Sequence, residues 1–259
     1  ALHERSPERT TDPCPYFRQC GGCQWQHATY AAPLEFKRTI VEDQLRRIGG
    51  FQEVLVHPTL PSPQQFHYRN NARFTVHGGT LGFQQIKSRR FLAIDYCYLM
   101  HPRINEVLAT IQGKAHVKHQ VVIRHGLHTD DLLIYPELPP DVTPFPTGQT
   151  AYYEEMCGHR FRVSAPSFFQ VNVAQAEQMA GIVRQYLDLQ GGELLVDAYS
   201  GVGTFAVILS DQARRVIAIE ESKTAVDDAL ENILGHGNIE PLIGKTEAVL
   251  PEIDERVDA

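Results

Sequence analysis

The sequence predicts two parts, a β-rich first part and an α/β second part with a parallel, Rossmann-like sheet. Three observations support this prediction. From residue 194 apolar strands alternate with helices in the order βαβαβ, which is the order of a parallel, doubly wound sheet. Residues 66–165 contain short strand-like runs broken by turns such as Gly78-Gly79. The two parts also differ in charge. Residues 1–150 hold 16 Lys or Arg against 13 Asp or Glu, whereas residues 151–259 hold 8 Lys or Arg against 18 Asp or Glu.

The elements can be placed in chain order. We expect a tail over 1–13, a β-rich domain over 14–165 and an α/β domain over 166–259. In the first domain, apolar residues on one face predict a helix over 33–48 that Gly49-Gly50 ends, and we expect this helix to pack on the second domain. The patterns that follow predict a helix over 174–189, strands over 194–198, 216–220 and 239–243, helices that begin near Thr204 and Lys223, and a last helix over 247–257.

The composition limits the class of protein. The 259 residues carry a formal net charge of −7 and 42% are hydrophobic, which is typical of globular proteins and excludes collagen-like and disordered chains. No apolar run approaches the roughly 20 residues of a membrane span, and five cysteines are too few for a disulfide-stapled secreted scaffold. We therefore expect a cytoplasmic monomer that does not contact membranes.

Three parallel strands are few for a doubly wound sheet. They would leave the strand over 194–198 as an exposed apolar edge. We therefore expect the sequence to be truncated at its C-terminal end.

Residues 60–124 form a basic segment. It contains only two acidic residues, Asp95 and Glu106. Such an excess of positive charge favours a polyanionic partner such as a nucleic acid, and a merely solvated face is the alternative. The basic residues of this segment are Arg69, Arg73, Lys87, Arg89, Arg90, Arg103, Lys114, Lys118 and Arg124.

Four cysteines are spaced like the ligands of a metal centre. Cys14, Cys20 and Cys23 follow the spacing C-x5-C-x2-C, and Cys97 comes 74 positions after Cys23. Three clustered thiols and one distant thiol are typical of a four-cysteine iron–sulfur site. A tetrahedral zinc site and unligated thiols are the alternatives. The fifth cysteine, Cys157, is expected to be a free structural thiol.

A glycine-rich loop follows the first strand of the α/β part. Gly201 and Gly203 lie between that strand and the next helix, and Glu220 ends the second strand 19 residues after Gly201. A carboxylate at that place can accept hydrogen bonds from ribose hydroxyls, so both NAD and S-adenosylmethionine are candidates. Asp197, where the loop begins, would repel a pyrophosphate and attract a cationic amino group, and Tyr199 offers an aromatic wall. These two residues favour S-adenosylmethionine, with NAD and a mere packing turn as the alternatives.

Several segments together resemble the RNA (uracil-5-)-methyltransferases, particularly the iron–sulfur-containing enzymes that act on 23S rRNA. The resemblance covers almost the whole chain. Its matching segments are Cys14-Pro-Tyr-Phe-Arg-Gln-Cys-Gly-Gly-Cys-Gln-Trp-Gln-His27, Tyr68-Arg-Asn-Asn71, the segment from Cys97 to Pro102, Ser167-Phe-Phe-Gln-Val-Asn172 and the loop from Asp197 to Phe205.

The resemblance implies a class I S-adenosylmethionine-dependent methyltransferase domain, present here in part, after a cluster-bearing RNA-binding domain. It implies that Cys14, Cys20, Cys23 and Cys97 bind a [4Fe–4S] cluster. It further implies that Gln170, Tyr199, Thr204 and Glu220 contact S-adenosylmethionine.

No residue of the sequence matches the family's nucleophilic cysteine or its general base. We therefore expect this chain alone to be inactive, although its family methylates C5 of uracil in RNA. Methylation of the tRNA T-loop, a non-catalytic RNA-binding role and an iron–sulfur oxidoreductase that uses a nicotinamide cofactor are the alternative functions.

Overall fold

A computed structural model describes residues 4–259 of the chain. Its strands form two sheets and one hairpin. The helices are α1 (Ala31–Arg47), α2 (Pro102–Ile111), α3 (Val173–Leu187), α4 (Thr204–Ser210), α5 (Lys223–Asn232) and α6 (Thr246–Val249). The strands are β1 (Asn71–His77), β2 (Thr80–Gln84), β3 (Phe91–Ala93), β4 (Gln120–His125), β5 (Leu132–Tyr135), β6 (Ala151–Met156), β7 (His159–Ser164), β8 (Leu194–Asp197), β9 (Arg215–Glu220) and β10 (Ile239–Ile243).

The first sheet is antiparallel, with the strand order β3-β2-β1-β4-β5. Alternate residues such as Phe74, Val121 and Ile134 are buried together with the apolar residues of α2. The sequence analysis missed α2, although Ile104, Val107, Leu108 and Ile111 repeat with the period of a helix. The other face of this sheet carries polar side chains near its centre, and both Arg73 and Gln120 are exposed there.

The second sheet is parallel, with the strand order β10-β9-β8. Its central strand β9 is buried from Val216 to Ile219, as expected for a strand that has helices on both faces. The predicted alternation of strands and helices from residue 194 is therefore confirmed. At the edge formed by β8, the Val196 N–H donates to the Ala259 carbonyl over 2.9 Å.

The hairpin of β6 and β7 packs into the core of the parallel sheet. Tyr152 and Phe161 are fully buried there together with residues of α3 and α4. Val122 and Leu133 of the antiparallel sheet join the same core, so the hydrophobic core is continuous across residue 165. The domain boundary at that residue stays a prediction.

The predicted helix over 247–257 is wrong. Helix α6 ends at Val249, and a single 3-10 turn, Leu250–Glu252, follows it. Pro251 lies in that turn, and proline has no backbone N–H with which to continue a helix. The residues that follow the turn are irregular.

Helix α1 agrees with its predicted position but buries little of its apolar face. Ala32 is its one buried residue, and Phe36, Ile40 and Val41 are exposed. Packing of this helix on the second domain stays a prediction. Among residues 4–259, no helix has both the length and the apolar character that a membrane span needs.

Candidate cofactor loop and cysteine cavity

The glycine-rich loop and Glu220 lie together at the carboxyl ends of β8 and β9. Gly201 and Gly203 have φ values of +56° and +82°, a region in which glycine is favoured because it has no Cβ. The Glu220 carboxylate accepts hydrogen bonds from the Gly201 N–H over 2.8 Å and from the Ser222 N–H over 2.8 Å. The structure therefore joins the loop to the carboxylate that the sequence analysis paired with it.

Asp197 lies directly under this loop. Its carboxylate accepts a hydrogen bond from the Ala206 N–H over 3.1 Å, which anchors the first turn of α4. Burial raises the pKa of Asp197 to about 6, partly offset by the backbone hydrogen bonds from Ala206 and Tyr199, and the nearby Glu220 raises it further. An aspartate with this pKa is mostly ionised at neutral pH, so it offers a negative charge beside the loop.

The remaining predicted cofactor contacts differ in exposure. Tyr199 is 73% exposed, and its hydroxyl donates to Glu247 over 3.3 Å. Thr204 begins α4 and is buried. Gln170 is half-buried in the segment between β7 and α3. Their contacts with a cofactor stay predictions.

Four cysteines line one cavity of about 610 Å³ between the N-terminal segment and the antiparallel sheet. Cys14, Cys20 and Cys23 come from the N-terminal segment, and Cys97 comes from the segment between β3 and α2. The Gly21 N–H donates to the Gln84 carbonyl over 3.1 Å, which docks the N-terminal segment against β2. The structure thus brings the predicted ligand residues to the same cavity.

Hydrogen bonds reach two of these sulfur atoms. The Gln26 amide donates to Cys23 Sγ over 3.2 Å, and the Gly22 N–H donates to Cys20 Sγ over 3.4 Å. Burial raises the pKa of Cys14 and Cys20, and it raises the pKa of Cys23 to about 11. Within residues 4–259, no three His, Cys, Asp or Glu side chains converge closely enough to form a metal-binding group. The thiols share the cavity without meeting at one point, and the metal centre stays a prediction.

One member of the predicted basic segment is not on the surface. Arg124 is 2% exposed, and it donates to the Ala165 carbonyl over 3.1 Å and to the Ser167 carbonyl. It cannot reach an external polyanion, so counting it in the basic surface was wrong. The alternation of β4 places Val122 and Arg124 on the same face, which the junction between β7 and α3 covers. Six of the nine predicted residues are exposed and carry no ion pair among the described residues: Arg73, Lys87, Arg89, Arg90, Lys114 and Lys118.

The sequence analysis also missed the contrast between two adjacent phenylalanines. Phe168 is 70% exposed, whereas Phe169 is buried in the core. Exposed aromatic rings on a rigid base are common contacts for unstacked nucleic-acid bases. The sequence holds no local signal for this contrast, because two adjacent phenylalanines look alike until their neighbours in the fold are known.

Comparison with known proteins identifies the family. A family described as tRNA (Uracil-5-)-methyltransferase matches residues 155–242. An uncharacterized RNA methyltransferase of Halalkalibacterium halodurans is 32% identical, over 96% of this chain and 67% of its own length. A second, from Synechocystis, is also 32% identical, over 98% of this chain and 68% of its own length.

The chain belongs to the RNA (uracil-5-)-methyltransferase family. It spans about two thirds of the length of these relatives. The crystal structure of the Pyrococcus abyssi tRNA (uracil-54, C5)-methyltransferase in complex with S-adenosyl-L-homocysteine matches 95% of this RNA methyltransferase chain. The match has a TM-score of 0.71 at 25% identity and covers 67% of the Pyrococcus chain. The RNA (uracil-5-)-methyltransferase family and the methyltransferase fold are therefore confirmed, whereas the iron–sulfur type, the 23S rRNA substrate and the cluster-bearing RNA-binding domain stay predictions.

Proposed function

We propose that the protein uses S-adenosylmethionine to methylate C5 of uracil in RNA. The observation that carries the proposal is that Glu220 and Asp197 are both hydrogen-bonded to the backbone of the glycine loop and of the helix that follows it, in a chain of this family. The Pyrococcus relative was crystallised with S-adenosyl-L-homocysteine, the product that remains after this cofactor has given up its methyl group.

Each of the three loop features has a role that follows from its chemistry. A carboxylate has about four lone-pair positions, and Glu220 uses three of them for the Gly201, Glu221 and Ser222 N–H groups. The remaining position can accept a hydrogen bond from a ribose hydroxyl. Asp197 supplies a negative charge for the cationic amino group, and the exposed ring of Tyr199 offers an apolar surface beside them.

When bound, S-adenosylmethionine supplies an electrophilic methyl group. C5 of uracil is a weak nucleophile, and the resemblance implies that a cysteine thiolate activates the base by adding to C6. Cys157 does not suit that role, because burial raises its pKa and its own N–H donates to Glu177 of α3 over 2.9 Å. We assign no nucleophile and no general base among residues 1–259.

We propose that Cys14, Cys20, Cys23 and Cys97 hold a [4Fe–4S] cluster. Support comes from their shared cavity and from the N–H groups that point at two of the sulfur atoms. Hydrogen bonds to sulfur are a usual feature of such sites. The cluster would join the N-terminal segment to the antiparallel sheet. Zinc stays the alternative.

We further propose 23S rRNA as the substrate, with the tRNA T-loop as the second candidate. The cysteine spacing supports rRNA through the resemblance that it carries, and the Pyrococcus relative supports tRNA, since its name specifies uracil-54 of tRNA. We also propose that the protein acts in the cytoplasm, where its RNA substrates are found, and that it is a monomer.

Because no nucleophile or general base is assigned among residues 1–259, we expect this chain alone to be inactive, and the test uses the natural full-length protein. It compares two adjacent glutamates. Glu220→Gln removes the negative charge at the loop, whereas Glu221→Gln changes an exposed side chain next to it. We expect the wild-type protein to form 5-methyluridine in 23S rRNA fragments when S-adenosylmethionine is added. We expect Glu220→Gln to weaken cofactor binding about tenfold or more, and Glu221→Gln to behave like the wild type.

Mass spectrometry of digested RNA measures the product, and calorimetry measures cofactor binding. Product in tRNA but not in rRNA would reverse the substrate assignment. Tight binding of NADH with no response to S-adenosylmethionine would contradict the proposed function as a whole and favour an oxidoreductase.

A further inference from the structure

The segment Ser164–Phe169 lies between the antiparallel sheet of β1–β5 and the parallel sheet with its helices. We call these the two halves of the molecule. The segment leaves β7, carries the exposed Phe168 and leads to Gln170 and α3. Both RNA-facing and cofactor-facing residues of the proposed function therefore depend on how this short segment is held.

A buried carboxylate holds the segment from the methyltransferase side. Asp228 of α5 is fully buried. It accepts hydrogen bonds from the Ser167 hydroxyl over 2.6 Å, from the Ser164 hydroxyl over 2.7 Å and from the Ser164 N–H over 2.8 Å. Arg162 also contacts it. Because hydrogen bonds to a charged acceptor in a buried site are strong, Asp228 fixes Ser167 relative to α5.

A buried guanidinium holds the same residue from the opposite side. Arg124 belongs to β4 of the antiparallel sheet, and its Nη2 donates to the carbonyl groups of Ala165 and Ser167. Ser167 is thus bonded through its hydroxyl to one half of the molecule and through its carbonyl to the other. The next residue in the chain is Phe168.

We infer that Ser167 is a positioning residue that Arg124 and Asp228 clamp from the two halves, and that this clamp fixes Phe168 and Gln170 for RNA and cofactor. The inference rests on the proposed function for the identity of the two ligands. Neither charged residue touches a ligand in this assignment. They act through the backbone of the segment.

A matched pair of serines tests the inference. Ser164→Ala and Ser167→Ala each remove one buried hydroxyl that donates to Asp228. Ser164 keeps its N–H bond to Asp228 and its place opposite Ala151 in the hairpin, so its backbone stays fixed. Ser167 has no strand to hold it. Ser164→Ala also removes the acceptor of a hydrogen bond from Arg162 Nη1 over 3.1 Å, so it loses at least as much hydrogen bonding as Ser167→Ala. Only Ser167→Ala is expected to release Phe168.

The first measurement is steady-state methylation of RNA by the full-length protein. We expect Ser167→Ala to lower kcat/KM for RNA about tenfold or more, as loss of a hydrogen bond to a buried charge allows, and Ser164→Ala to stay within about threefold of the wild type. Thermal unfolding should show at least as large a loss for Ser164→Ala as for Ser167→Ala, because the Ser164 hydroxyl makes one hydrogen bond more. Equal losses of kcat/KM in the two variants, or none in either, would overturn the inference.

The second measurement is amide hydrogen exchange of the ligand-free protein. The residue 167 N–H donates to the Ser164 carbonyl over 3.0 Å, and we expect Ser167→Ala to accelerate its exchange about tenfold or more relative to Ser164→Ala. Equal exchange in the two variants would overturn the clamp. If the wild-type protein methylates no RNA, the proposed function fails, and the exchange result alone decides whether the clamp exists.

Discussion

Replacing Asp197 with asparagine should make the protein more stable and less able to bind its cofactor. Folding moves this carboxylate from water to a half-buried site beside Glu220, where its pKa is about 6 instead of the ordinary 3.8. A tenfold change in ionisation constant corresponds to about 1.4 kcal/mol, so the ionised group opposes folding by at most about 3 kcal/mol at pH 7.5.

The pH dependence follows from the same two values. The folded state binds more protons than the unfolded state between the ordinary pKa of 3.8 and about 6, so the stability due to this group is lost as pH rises through that window. The gain in free energy of unfolding of Asp197→Asn over the wild type should therefore fall from about 3 kcal/mol at pH 7.5 to roughly half of that at pH 5. The asparagine oxygen can still accept the Ala206 N–H, so the first turn of α4 should stay anchored.

Urea unfolding of the full-length protein at the two pH values measures the difference in free energy of unfolding. Asp254→Asn is the control, because Asp254 is exposed, and its effect should stay within about 0.5 kcal/mol. Affinity for S-adenosylmethionine should fall about tenfold or more in Asp197→Asn, since the charge that attracts the amino group is gone. A variant that is less stable at pH 7.5, or whose advantage does not change with pH, would refute the reasoning.

Two further predictions concern the cysteine cavity and the basic segment. Protein purified without oxygen should contain about four irons and four sulfides per chain. Cys97→Ser should lose the iron, whereas Cys157→Ser should keep it. Stoichiometric zinc in the wild type would contradict the cluster. Changing Arg89 and Arg90 together to glutamine should reduce the slope of log affinity for RNA against log salt by about 1.4 if both contact phosphates. Arg46 and Arg47 at the end of α1 pair with acidic residues of the same helix, so changing these two to glutamine should leave the slope unaltered. Equal slopes in the wild type and both double variants would show that the basic segment is only a solvated face.

Local patterns sufficed to predict the parallel sheet and its loop. The apolar runs of β8 and β9, the glycines after β8 and the acidic residue after β9 are each readable within a few positions of the sequence. The cysteine cavity was also predictable, because few arrangements other than a shared site explain four such thiols.

Contacts between distant segments could not be predicted in this way. The burial of Arg124 depends on the Ser167 segment, 43 positions later. The packing of the β6–β7 hairpin against α5 depends on Asp228, 64 positions after Ser164. A buried charge is stable only when its partners are present, and a single sequence does not show which partners will meet.

The docking of the N-terminal segment on β2 has a consequence for synthesis of the protein. Cys23 and Cys97 are 74 positions apart, and at about 5–20 residues per second a ribosome needs roughly 4–15 s to cover that distance. During this interval Cys14, Cys20 and Cys23 are already in the nascent chain, whereas Cys97 is not yet made. The three thiols therefore have no fourth neighbour until Cys97 is added, and an oxidant present during translation would meet them before the cavity exists.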